Sequence, residues 1–449
     1  MSKIVKLKKG FDLKLVGNAP LEMANFAAAQ TFAIKPTDFP GIQRPKVLVN
    51  EGDTVKAGTP ILLDKAMDQV IYAAPVSGEI VEIKRGEKRK LLEIKILADQ
   101  NVTHENFGAI DLSQERDALA AKLASTGVWP NIIQRPYGVV ANPADSPKAI
   151  FISAFDTHPL APDNGFALKG EEKYFQAGID ALAKLAQGKV HVNVDGSKPV
   201  PAVFSGVKNA QVNQFSGPHP AGNVGVQIHH LDPINKGDIA WTVSPYGVVQ
   251  IGKAVLEGIY DASRVVALTG SELTKTGYVK TYSGANVSSF VKGNLNSGNV
   301  RVISGNPLTG EKISLDGFLG FYHSQVTVIP EGDQEEFLGW LLPSTSKLSF
   351  HKALGMFSFL NKGEFKVDTN THGEERPFVV TGTFEKVLPM DILPTYLFKA
   401  IIAEDYDEME ELGIYELVEE DVALCEFVDP SKNELQALVR HGIELLMYS

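Results

Sequence analysis

VLVNEGDTVKAGTPILLDKAMDQVIYAAPVSGEIVEIKRGEKRKLLEIKI, residues 47–96, is the stretch whose reading decides how the first part of the chain folds. Short alternating runs such as Val47, Val49 and Ile80, Ile83 are cut at regular intervals by turns that contain glycine. That pattern predicts consecutive short strands. Gly52, Gly58 and Gly78 permit backbone turns closed to other residues.

The pairing of Gly52-Asp53, Val55 and Gly58 with Ala74-Pro75, Gly78 and Ile80 resembles the barrel-sandwich hybrid of lipoyl and biotinyl carrier domains. In those carriers a lysine on an exposed hairpin takes the prosthetic group, and Lys65 in Asp64-Lys65-Ala66 invites the comparison. Its spacing from the glycine turns predicts that Lys65 falls away from the hairpin tip and carries nothing.

Working outward, 449 residues exceed what one core supports, so several domains are expected. A net charge of -11 argues against nucleic acid as a partner. The charge is uneven: lysines crowd residues 3–14 and 84–90 is basic, whereas 404–421 is acidic. A lone cysteine, Cys425, leaves no disulfide within the chain and no four-cysteine site. With neither a signal-like h-region nor an apolar run of about 18 residues, any membrane role is expected to come through partners.

The alternation continues past the sandwich. A helix is expected at 113–125, with Ser113 as N-cap and Leu119 and Leu123 on one face. Residues 126–138, TGVWPNIIQRPYG, repeat the string Ile-Gln-Arg-Pro of 42–45 and read as a second loop. Strands at 149–155, 190–194, 200–205 and 239–243 alternate with helices at 171–187, 224–230 and 248–259, which implies a Rossmann-like α/β domain with a mostly parallel sheet. RVVAL, YVKTY, VRVIS and SQVTVIP around a short helix at 284–292 read as a β-grasp (SLBB-like) module, and helices are expected at 348–360, 394–412 and 432–446. The fold class is therefore multidomain α/β and β: sandwich at 1–100, α/β at 101–261, β-grasp at 262–330 and a mixed, helical C-terminal domain at 331–449.

No self-contained chemistry stands out. Gly217, Gly222 and Gly225 are too loosely spaced for a dinucleotide fingerprint and read as close packing. His219, His229, His230 and Asp232 form the only cluster with metal-ligand character, and adjacent histidines on a helix point apart. Ser-His-Asp, HExxH and GxSxG patterns are missing.

A further set of phrases identifies the chain with a family. Leu62-Leu63-Asp64-Lys65, Ala74-Pro75-Val76-Ser77-Gly78 and Arg85-Gly86-Glu87-Lys88-Arg89 are joined by Thr126-Gly127-Val128-Trp129-Pro130, Ala154-Phe155-Asp156-Thr157, Ser216-Gly217-Pro218-His219-Pro220, Leu388-Pro389-Met390-Asp391 and Glu420-Asp421-Val422-Ala423-Leu424-Cys425. In this order they resemble NqrA, the peripheral component of the bacterial Na+-translocating NADH:quinone oxidoreductase, and more distantly the C subunit of Rnf complexes and the flavin subunit of respiratory complex I. Against those distant relatives, bulky Trp129 and Ile132 stand where a glycine-rich flavin loop would be, and Asp429 replaces the second cysteine of a cluster run that begins at Cys425.

The resemblance implies a peripheral protein on the cytoplasmic face of the bacterial inner membrane. Its complex oxidises NADH, reduces a ubiquinone-type quinone and exports Na+. It implies the other components of that complex, NqrB to NqrF, as partners, chiefly the membrane-embedded NqrB. Flavins (FMN or FAD, riboflavin) and iron–sulfur centres belong to those partners, and no cofactor is tightly bound to this chain, which is inactive when isolated. Phe39, Gly41 and Arg44 in the first loop and Arg135 and Tyr137 in the second are the quinone-proximal candidates, since an aromatic and a guanidinium suit stacking and a hydrogen bond to a quinone oxygen. The competing readings are a non-catalytic docking scaffold and an Rnf-like electron-transfer protein that has lost its cofactors.

Overall fold

The computed structural model describes residues 2–296, 298–334, 336–337, 346–351, 361 and 363–448. The opening stretch folds as two small facing sheets. One joins Thr31–Ile34, Leu91–Ala98, Gly78–Arg85 and Thr54–Val55, and the other joins Pro45–Val47, Pro60–Asp64 and Met67–Ala73. The inward residues Ile61, Val70, Ile80, Ile94 and Ile96 are fully buried between them, as strand alternation requires.

Lys65 does sit at the tip of a hairpin, because only Lys65 and Ala66 separate the strands Pro60–Asp64 and Met67–Ala73. The spacing expectation is thus corrected: a register shift in this strand pair brings Asp64 opposite Met67 and tightens the turn. The tip is clamped, with the Asp64 carboxylate accepting from the N–H groups of Gln43, Arg44 and Ala66 at 3.0–3.1 Å. Swinging-arm carriers need a domain free to move; this sandwich shares one apolar core with the modules that follow.

That core continues into a seven-stranded sheet ordered Ile4–Lys6, Gln211–Ser216, Val190–Asp195, Ala149–Ser153, Ala240–Val243, Ile132–Arg135, Val139–Val140. The first five strands are parallel, Ile132–Arg135 runs antiparallel to them, and Val139–Val140 turns back antiparallel to Ile132–Arg135. Ile150, Ile152, Val192 and Trp241 face the helices Glu172–Leu185 and Pro245–Glu257, while Ala149, Phe151 and Ala240 face the helix Val224–Leu231.

Three local expectations change. Residues 200–205 form no strand: Pro199 and Pro201 have no N–H to give a ladder, so Ala202–Phe204 is a single helical turn and the strand follows at Gln211–Ser216. The helix expected from 113 begins at Arg116, since Ser113 closes a turn on Asp111 with both its N–H and its hydroxyl. Ile133-Gln134-Arg135 lies in a strand and not in a loop.

The β-grasp sheet orders Gly277–Tyr282, Ser263–Thr269, Gln325–Pro330, Val300–Ser304 and Glu311–Ile313 around the helix Ser288–Val291. Of the C-terminal helices, 348–360 lies largely outside the described residues. The expected 394–412 is two helices, Pro394–Ala403 and Tyr406–Glu411, broken where Glu404 turns left-handed at φ +53°. Phe384–Val387, Glu419–Val428 and Leu435–Tyr448 complete the module.

Candidate functional site

The two segments that carry Ile-Gln-Arg-Pro meet. Val140 N–H donates to the Pro40 carbonyl at 3.0 Å, and Gly41, at φ +90°, lies so close to Val139 that a side chain there would fall 2.9 Å from its Cβ. Arg44 is exposed beside this joint, and its neighbour Gln43 donates through Nε2 to the Tyr448 hydroxyl at 3.2 Å.

Phe39 does not reach the surface. It is 2% exposed, its ring 4.5 Å from Tyr72 and 4.7 Å from Phe321, so it pins the first segment to the shared core and offers no free face for stacking. Arg135 is also buried, and its guanidinium donates to Asp421 Oδ2 at 3.0 Å and to Glu420 Oε1 at 2.7 Å. Burial works against its charge, but the Asp421 and Glu420 carboxylates outweigh that and lift its pKa further. Arg44 and Arg135 therefore do not form a pair of free cations.

Tyr137 stands between these extremes. It is half-buried at φ +82°, a left-handed conformation that costs a non-glycine residue roughly 1–3 kcal/mol. The surroundings hold it there: Arg440 Nη1 donates to its carbonyl at 2.9 Å, and its ring meets Tyr415 edge-on. Arg440 is tied in turn to the Glu419 carboxylate through both Nε and Nη2.

A second polar cluster lies at the carboxyl ends of the strands Ala149–Ser153 and Gln211–Ser216, where open α/β sheets bind ligands. His158 Nδ1 is 2.6 Å from Asp156 Oδ1, and that carboxylate, outweighing burial, raises the imidazole pKa above its ordinary value. The His219 ring lies 4.6 Å from that of His158, and burial first, then His158, pushes its pKa well down. The Nε2 atoms of both rings are buried without a partner.

Part of this end of the sheet is already filled. A Cβ at Gly225, near the start of the helix Val224–Leu231, would fall 2.4 Å from the Asp421 carboxylate, so a side chain of the C-terminal module already fills the end of that helix. Gly222 packs as closely on Thr157.

The remaining sequence candidates disperse. His229 Nδ1 is 2.8 Å from Glu416 and its Nε2 accepts from Asp391 N–H, while His230 Nε2 is 2.9 Å from the Pro389 carbonyl. These histidines tie the C-terminal module to the α/β layer. Among the described residues no group of three or more His, Cys, Asp or Glu is arranged to hold a metal ion. Cys425 is buried, which raises its thiol pKa, and Asp429 accepts from the N–H groups of Ser431 and Asn433. Trp129 and Ile132 are fully buried, so their segment presents core side chains where a phosphate cradle would need bare backbone.

Glu419, Glu420, Asp421 and Arg440 escaped the sequence reading. The three acids are visible only as part of the acidic run and, for Glu420 and Asp421, of a family phrase, neither of which reveals a partner, and Arg440 carries no signal of its own.

The chain matches the NqrA N-terminal barrel-sandwich hybrid domain over residues 5–99, the NqrA second alpha/beta domain over 114–260 and the NQRA C-terminal domain over 265–314. It is 38% identical over 443 residues to the A component of the Na(+)-translocating NADH-quinone reductase of Yersinia pseudotuberculosis, covering 97% of this chain and 98% of that one. The protein of the same name from Rhodopirellula baltica is 36% identical over 447 residues, covering 98% of this chain and 97% of its own length. That of Pasteurella multocida is also 36% identical, over 98% of this chain and 99% of its own.

Proposed function

This chain belongs to the NqrA family of the Na+-translocating NADH-quinone reductases, and on that premise we propose that it contributes to the quinone step of such a complex at the joint between residues 39–44 and 135–140. The observation that carries this reading is the build of the joint. A buried aromatic and a buried, neutralised arginine fix two segments from different modules, which touch through Pro40 and Val140, and these segments also carry an exposed guanidinium, Arg44, and a strained tyrosine, Tyr137.

A quinone needs a hydrogen-bond donor at a carbonyl oxygen and an edge or face against its ring, and Arg44 and Tyr137 supply these kinds of contact. Phe39 and Arg135 act as positioning residues in this account. NADH oxidation, the flavins and iron–sulfur centres and the Na+ path then belong to the partners NqrB to NqrF. No described helix is long and apolar enough to cross a membrane. In this reading the chain attaches at the cytoplasmic face through the membrane-embedded NqrB.

The competing reading is a docking scaffold without a quinone contact. Titrating the isolated chain with a short-chain ubiquinone separates the two. Saturable binding that weakens in Arg44→Ala is expected here, and an absence of saturable binding favours the scaffold.

A further inference from the structure

A cleft of about 600 Å³ opens at the amino ends of the parallel strands, the opposite end of the sheet from His158 and His219. Lys3, Lys148, Lys189, His191, Gln211 and Asp232 line it, and its size is that of a small-molecule site. Strand geometry brings its polar groups together. Side chains two residues apart share a face of the sheet and His191 pairs in register with Gln211, so Lys189, His191, Gln211 and Asn213 lie on one face. Lys3 joins them from just before the edge strand Ile4–Lys6, its N–H donating to Asn213 Oδ1 at 3.1 Å.

One of these groups is nearly buried and has nothing to bind. His191 is 7% exposed, and its ring stacks on that of Phe151 at 4.8 Å and 8°. Burial first, then Lys189, depresses its pKa to about 4, so the ring is neutral and carries one N–H. Asn213 decides which nitrogen holds it. The Asn213 amide oxygen accepts from Lys3 N–H and from Gln211 Nε2, which turns Nδ2 towards His191 Nδ1 at 3.2 Å and Asn193 Oδ1 at 2.9 Å. Nδ1 is therefore the acceptor, and Nε2 carries the proton. Nε2 has no partner among the described residues, and unlike the sealed Nε2 atoms of His158 and His219 it opens on the cleft that His191 lines.

The charges beside that N–H are mainly positive. Lys189 donates to the neutral Gln211 Oε1 at 3.0 Å and Lys3 to the Leu231 carbonyl at 3.2 Å, so neither ammonium group is compensated by a carboxylate among the described residues. Asp232 is the opposing carboxylate, and Lys148 holds it at 3.1 Å together with Asp238 at 2.9 Å.

We propose that this cleft binds the terminal phosphate of a small phosphomonoester through Lys3, Lys189 and the Nε2–H of His191. Three separate donors match the three terminal oxygens of such a group, and lysines act on phosphate as point charges. A carboxylate is matched best by the planar fork of an arginine, and no arginine lines the cleft among the described residues. The phosphodiester of a lipid headgroup has only two such oxygens and cannot engage all three donors. The inference does not depend on the quinone reading.

Titration calorimetry of the full chain at low salt, with inorganic phosphate and with adenosine monophosphate as probes, tests it. Saturable binding of both is expected, with Kd of about 1 mM or tighter. Lys3→Gln/Lys189→Gln should weaken it by about tenfold or more, as for the loss of charge-assisted hydrogen bonds. Both lysines are exposed, so this variant should unfold at the wild-type temperature in phosphate-free buffer. His191→Phe, which keeps a ring on Phe151 and removes the N–H, should also weaken binding. Lys198→Gln/Lys208→Gln, at exposed residues outside the cleft, should bind as the wild type does.

An absence of saturable binding of either probe overturns the proposal. So does wild-type affinity in Lys3→Gln/Lys189→Gln, which puts the anion elsewhere. Wild-type affinity in folded His191→Phe overturns it too, since only surface lysines would then be attracting the anion. Binding to phosphatidylglycerol vesicles that the lysine substitutions abolish, with neither soluble probe bound, overturns it in favour of a lipid headgroup.

Discussion

The sandwich, the α/β layer and the β-grasp sheet are joined to each other differently from the way the C-terminal helices are joined to them. The first three share one continuous apolar core, in which residues as far apart as Phe32, Trp241 and Val326 belong to a single cluster. The C-terminal helices keep a core of their own, which Leu13, Leu15, Leu160 and Val226 enter from outside. To those apolar contacts their seam with the α/β layer adds a set of polar ones: Arg135 with Glu420 and Asp421, His229 with Glu416, Asn223 with the Glu420 carbonyl, and Arg440 with Glu419 and the Tyr137 carbonyl. An apolar junction is non-directional and unfolds with the modules it joins; an ionic seam depends on every partner being present and charged.

The largest effects should fall on the two junctions in different ways. Arg135→Ala leaves Asp421 buried without its cation, a loss of about 3–5 kcal/mol. The C-terminal helices should then melt or become protease-sensitive before the rest. Trp129→Ala, at the centre of the shared core beside Trp241, should cost a similar ~3–5 kcal/mol but lower one cooperative transition of the three joined modules. Circular dichroism combined with limited proteolysis distinguishes these outcomes, and a single coincident transition in Arg135→Ala would break the comparison.

Arg440→Ala should act in the same direction as Arg135→Ala but more weakly. Its pair with Glu419 is partly open to solvent, so about 1–2 kcal/mol is expected, read as a shift of the same early transition.

The smallest effect depends on pH. His158 has a folded pKa raised above 6.5 by Asp156, so its stabilisation is fully present below that value and drains away as pH rises through the raised one. Asp156 is held below 3.8, chiefly by the His158 charge against the opposing cost of burial, so its share is present above 3.8 and lost as pH falls through the depressed value. The advantage of the wild type over His158→Asn in thermal unfolding should therefore be greatest in mildly acidic solution and shrink towards alkaline pH. A difference that grows with pH would contradict this sign.

The same contrast explains what could be read from sequence. The strands at 60–64, 78–85, 149–153 and 263–269 announce themselves through apolar runs and glycine turns, because burial writes a period into neighbouring residues. Gln211–Ser216 was hidden by its polar residues: Asn213 is buried, but it is satisfied by Asn193 and His191 on the adjacent strand. The ionic seam left no period at all, since Arg135 and Asp421 are 286 residues apart and each looks like an ordinary surface residue. Of the site candidates, Gly41 was legible through its turn and Arg44 through its exposed loop. Phe39 and Arg135 were legible as residue types but not in their burial, which comes from partners in other modules.

The joint at 39–44 and 135–140 lies where these two kinds of junction meet, with Phe39 in the apolar one and Arg135 in the ionic one. Its claim to a quinone is tested most directly by steady-state kinetics of the assembled complex carrying Arg44→Ala or Tyr137→Ala. Both variants should lower quinone reductase activity, with a raised KM for quinone, while NADH oxidation by an artificial acceptor stays at the wild-type rate. Unchanged quinone kinetics in both variants, with the complex intact, would contradict the account and leave the chain as a scaffold.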